Sequence, residues 1–126
     1  MAIFMSPDGL PDKILRHVTG EYLATFVAAF KTNIKPNATI PILWTIVYNQ
    51  GIFLCNTHAT RGIYRDIKVG DIDSIKIKTS EYTSPVIQII FKDILTDDFY
   101  IELPKGTSLR ELSSILRKLD VQILQA

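Results

Sequence analysis

The chain has 126 residues, of which 47% are hydrophobic and 21% charged, and its formal net charge is +1. That length supports one domain with its own core, the apolar fraction excludes a disordered chain, and the balanced charge excludes a global pull toward nucleic acid or anionic membranes. A single cysteine, Cys55, rules out an intrachain disulfide and fits a reducing compartment, the cytoplasm.

Met1 to Asp8 has no basic stretch followed by an apolar run, so no signal peptide is expected. Residues 1–20 read as a short helical extension: Asp12 is an N-cap, Ile14, Leu15 and Val18 share one side, and Gly20 ends the helix. Residues 21–126 then form the domain proper.

Tyr22 to Phe30 is rich in aromatic and apolar residues and reads as the first strand; the segment from Lys31 to Thr39, with Pro36 and two asparagines, reads as a loop. Ile42 to Tyr48 and Ile52 to Cys55 flank Asn49, Gln50 and Gly51, the residue types that a tight reversal with positive φ favours, and predict a hairpin. The longest apolar tract, Ile40 to Tyr48, is far shorter than the roughly 20 residues of a membrane-spanning helix. After a loop from Thr57 to Gly62, Ile63 to Val69 alternates apolar with polar residues. In Ile72 to Lys78, Ile75 and Ile77 face one way and Lys76 and Lys78 the other. Val86 to Phe91 is dominated by β-branched residues, Lys92 to Asp98 turns the chain, and Phe99 to Leu103 makes a seventh strand ended by Pro104.

Ser108, followed three residues later by Glu111, has the spacing of a capping box and marks a C-terminal helix. Leu109, Leu112, Leu116 and Leu119, with Ile115 beside them, line one face, while Arg110, Ser113, Ser114, Arg117 and Lys118 stay polar. At roughly 2 kcal/mol for each buried leucine, this helix packs on the sheet or on a partner.

Closely spaced strands joined by turns predict an antiparallel meander rather than a parallel α/β sheet. Its stretch Ile63-Tyr64-Arg65-Asp66-Ile67-Lys68-Val69-Gly70-Asp71-Ile72-Asp73-Ser74-Ile75 resembles the strand, turn and strand entry of the pleckstrin homology (PH) superfold, in particular the small bacterial PH-like domains. The resemblance covers most of residues 21–120. It implies a mainly β fold: a seven-stranded antiparallel PH-like barrel or roll, one end plugged by the C-terminal α-helix.

Nothing in the sequence assembles a catalytic, cofactor or metal site. His17 and His58 have no Cys or carboxylate at a familiar zinc spacing, and Cys55 lies in an apolar strand, where an inert thiol outweighs a nucleophile. Asp66, Asp71 and Asp73, and likewise Asp93, Asp97 and Asp98, cluster at turns without the spacing of a calcium loop. No phosphate-cradling glycine loop and no nucleophile elbow occurs.

Two surface readings remain. The resemblance implies an anionic-ligand site that would use Lys31, Lys35, Arg61 and Arg65, although Ile42-Leu43-Trp44 stands where headgroup-binding PH domains carry a basic pair; solvated surface charge is the competing account. Trp44, Tyr48 and Phe53 surround the hairpin as a partner-contact patch, with core packing as the stronger competitor. The expected function is a non-catalytic binding or assembly module that contacts a protein or a second copy of itself along a strand edge. The alternative is a peripheral membrane or anionic-ligand module, and no nucleic-acid partner is expected.

Overall fold

A computed structural model of the protein describes residues 15–16, 18–32, 43–56, 63–79, 85–103 and 106–125. The N-terminal helix expected around Asp12 to Gly20, and the loops around Pro36, His58 and Tyr82, lie largely outside these residues.

The segments that the sequence marks as strands form strands close to their expected bounds. β1 is Tyr22–Thr32, β2 Leu43–Tyr48, β3 Gly51–Asn56, β4 Ile63–Lys68, β5 Ile72–Thr79, β6 Pro85–Phe91 and β7 Phe99–Glu102. β1 runs two residues further than its apolar pattern because Lys31 and Thr32 pair with Tyr100 and Phe99. Lys31 therefore belongs to a strand, not to the loop that the sequence suggests.

The strands follow the order β4-β3-β2-β1-β7-β6-β5, and β1 belongs to two sheets. Its first part, Tyr22 to Ala28, pairs antiparallel with β2, whereas Ala29 to Thr32 pairs antiparallel with β7. One sheet thus holds β1 to β4, and the second is built on β7, β6 and β5. Their inner faces share one core that includes Phe26, Val47 and Leu54 from the first sheet and Ile75, Ile87 and Ile101 from the second.

Helix α1, Leu109–Leu116, covers this core with Leu112, Ile115 and Leu116, and Leu119 follows just beyond it. Ser108 caps it, its hydroxyl accepting from the Glu111 N–H at 3.3 Å. Leu109 is 37% exposed, so the first leucine of the expected stripe stays outside. At N1 it projects from the first turn, before the helix reaches the sheet.

Two expectations are corrected. Among the described residues the sheet has eight strands, not seven: after α1 the chain turns back and Gln122–Gln125 forms β8, parallel to β5 with Ile123 opposite Ile75. A segment of four residues is too short to show a period, and its parallel direction follows from the helix that precedes it. Nor do the sheets close into a barrel, because the order ends at β4 on one side and β8 on the other. Among the described residues no strand pair joins these two edges.

The β2–β3 hairpin forms as expected, with Tyr48 opposite Gly51 across a two-residue turn of Asn49 and Gln50. Gly51 is needed for a different reason from the expected one. It is the first residue of β3, and the positive φ among the described glycines falls at Gly106 instead. A Cβ on Gly51 would lie 2.3 Å from the Ile67 carbonyl oxygen, so what demands glycine is the close approach of β4. Asn49 ties the hairpin to the entrance of β1, its Oδ1 accepting from Glu21 N–H and its own N–H donating to Glu21 O, each at 2.9 Å.

Candidate functional site

The outer face of the first sheet is apolar as well. Strand alternation sends Ile46 and Tyr48 of β2 and Phe53 of β3 to the side opposite Val47, Ile52 and Leu54. All three are fully buried, in a second cluster to which Val18, Tyr22 and the half-buried Trp44 are added. Tyr48 and Phe53 meet edge to face at 5.7 Å between ring centres. The aromatic patch around the hairpin is thus packing material, in a small core on the outer side rather than in a barrel interior.

At the margin of this cluster the buried Tyr48 hydroxyl meets charged groups. Its hydroxyl accepts from Lys68 Nζ at 2.7 Å and donates to Asp66 Oδ1 at 3.3 Å, and Lys68 and Asp66 form an ion pair at 3.1 Å. The hydrogen bond to Tyr48 first, and then the one to Asp66, raise the Lys68 pKa above its ordinary 10.5. Burial raises the Tyr22 hydroxyl above 10.0, partly offset by its hydrogen bond with Thr25.

Of the four cations read as anion contacts, Arg65 alone has a described side chain; Lys35 and Arg61 lie outside the described residues. Arg65 sits opposite Leu54 in β4 and turns toward the second sheet. Its guanidinium carbon lies 4.9 Å from the centre of the Phe91 ring and 4.8 Å from that of Phe99. Two aromatic faces therefore engage this cation, and it spans the gap where, among the described residues, no strand pairing joins β4 to the second sheet.

Beside Arg65 opens a cleft of about 450 Å³. Ile67 and Phe91 supply its apolar wall, and Asp66, Asp71, Lys92 and Asp93 its charged rim. The Lys92 N–H donates to the Asp71 carbonyl at 3.0 Å, which holds the β4–β5 and β6–β7 turns together. Asp66 and Asp71 of one sequence cluster and Asp93 of the other, far apart in the chain, thus meet at this cleft. Gln88 Nε2 donates to Asp98 Oδ2 at 2.7 Å, and both Asp93 oxygens accept within their own turn. Among the described residues no group of three or more His, Cys, Asp or Glu side chains is placed to hold a metal ion.

The sequence reading passed over the tip of the β6–β7 turn. Ile94 and Leu95 are 94% and 88% exposed, the most exposed large apolar side chains described. The available signal was their position: two aliphatic residues at the middle of a turn whose other members are Asp, Thr and Lys.

No protein-family model matches the chain, and no curated protein is significantly similar to it in sequence. Among the described residues, no helix is long and apolar enough to cross a membrane.

Proposed function

We propose that the chain is a non-catalytic, PH-like binding and assembly module of the cytoplasm that contacts proteins, including a second copy of itself. Seven strands followed by a core-covering helix support the PH-like reading, with β8 as an addition to that plan.

The observation that carries self-association is the contrast between the two ends of the sheet. At one end, β4 presents Arg65, Asp66 and Lys68, charges of the kind that blunt an edge against unwanted pairing. At the other, β8 carries neither charge nor proline from Val121 to Gln125, and among the described residues nothing pairs with its outer side. An unblunted edge accepts another strand through main-chain hydrogen bonds.

Light scattering behind a sizing column tests this reading. A discrete multiple of 14.2 kDa is expected, reduced to that mass by Leu124→Pro, which removes a main-chain donor from β8. A wild-type chain that stays at the monomer mass at every concentration tried would sink self-association.

A further inference from the structure

Asp93 to Thr96 is a β-turn built for rigidity. Thr96 N–H donates to the Asp93 carbonyl at 3.0 Å, Leu95 N–H to Asp93 Oδ1 at 3.0 Å, and the Thr96 hydroxyl to Asp93 Oδ2 at 3.1 Å. Aspartate at the first turn position and these local side-chain bonds are what a turn of this kind asks for. Its two central residues, Ile94 and Leu95, are not. They sit where polar residues are favoured, point to solvent at 94% and 88% exposure, and contribute nothing to either core.

We infer that this turn is a docking knob: Ile94 and Leu95 enter an apolar cleft, rimmed by lysine and arginine, on a different protein. The inference rests on the reading of the chain as a protein-binding module, and it names the surface and the partner's chemistry. The locked turn fixes the backbone that presents both side chains before contact, which lowers the ordering cost of association.

Charge selects the occupant. Asp93, Asp97 and Asp98 share the turn of the knob with Lys92, and the cleft beside it is lined by Asp66 and Asp71 against Arg65. Five carboxylates and two cations, with Asp66 also paired to Lys68, leave this end about two negative charges in a chain whose total is +1. A second copy presenting the same end would meet like charge, and an anionic membrane would repel it, whereas a basic rim would be attracted.

The test starts with the immobilised full chain in extract of the source cells, beside an Ile94→Ser, Leu95→Ser variant. A protein retained by the wild type and not by the variant is identified, purified and titrated by calorimetry. The expected results are a loss of about 100-fold in affinity for the double variant, since two aliphatic side chains lose their burial, and weaker wild-type binding as salt rises. An unchanged circular dichroism melt of the variant shows that the loss is not unfolding.

Leu124→Pro separates this inference from edge-mediated self-association, and should leave the partner's affinity intact. Partner binding that survives the double serine variant and fails with Leu124→Pro overturns the knob while leaving the module reading standing. Failure to retain any protein that the double variant loses overturns the knob. So does a double variant whose only defect is lost binding to zwitterionic vesicles, or lost self-association. A chain that retains no protein and also stays monomeric overturns both readings.

Discussion

The guanidinium carbon of Arg65 lies 4.8 Å from the centre of the Phe99 ring, a contact between the edge strand of one sheet and an inner strand of the other. Phe91 engages the same cation at 4.9 Å, so one side chain fastens an opening that no backbone pair spans among the described residues. Arg65→Ala should lower unfolding free energy by about 1–2 kcal/mol in urea titrations. Arg65→Lys should recover only part of that loss, because a compact ammonium cannot lie flat against two rings. Full recovery by lysine would mean that charge alone matters and would remove the stacking argument.

Gly51 stands opposite Lys68, with the Ile67 carbonyl directly in the path of any side chain. Because that obstacle is backbone, Gly51→Ala must push β3 and β4 apart or break their pairing. Its expected cost is about 2 kcal/mol, typical of forcing atoms into a filled space, measured as a lower urea midpoint. Gly70, around which a Cβ would find open space, is the control: Gly70→Ala should be nearly neutral. Equal effects at both positions would show that glycine's backbone freedom, rather than crowding, sets the cost.

These two residues show how much of the molecule could be read in advance. Strand-forming residue types and turn residues located most of the strands from Tyr22 to Leu103, and period-two alternation located β4 and β5, since a half-buried strand writes its geometry into residue type, as Ile75 and Ile77 against Lys76 and Lys78 show. The helix was legible from Ser108 and its leucines for the same reason. Relations between distant segments were not. Nothing local in Gly51 announces the Ile67 carbonyl, and nothing in Arg65 announces Phe91 and Phe99, which enter from another sheet. Tyr48 and Phe53 could be read as buried, but which side of the sheet buried them depends on the second core. Asp66, Asp71 and Asp93 looked like members of separate turns because their meeting around one cleft is a property of topology.

Thr45 offers a gain in stability. It lies on the inner face of β2 between Phe26 and Leu54, is fully buried, and its hydroxyl finds no hydrogen-bond partner among the described residues. A buried hydroxyl without a partner costs on the order of 1–3 kcal/mol relative to an apolar group of the same shape. Thr45→Val keeps the branched outline and removes that polar group, so the urea midpoint should rise by an amount equivalent to about 1 kcal/mol. A valine variant that is less stable than wild type would mean that the hydroxyl makes a contact of value.

Alkaline pH should weaken the fold through Tyr22 and Lys68. Burial raises the Tyr22 hydroxyl above its ordinary 10.0, and hydrogen bonds to Tyr48 and then Asp66 raise Lys68 above 10.5. A group whose pKa is higher in the fold than in the unfolded chain holds its proton more tightly when folded. Its contribution is therefore complete below the unfolded value and is lost as pH rises through the folded one. Stability should accordingly fall upward from 10.0 for Tyr22 and from 10.5 for Lys68. Lys68 is 47% exposed, so solvent screening keeps its share small and Tyr22 should dominate the slope. Urea midpoints measured across this range should decline less steeply for Tyr22→Phe, which has no phenol to ionise. Tyr48→Phe removes the first cause of the Lys68 shift while leaving its ion pair with Asp66, and should flatten only the upper part of the curve. An alkaline slope identical in wild type and Tyr22→Phe would place the loss of stability elsewhere in the molecule.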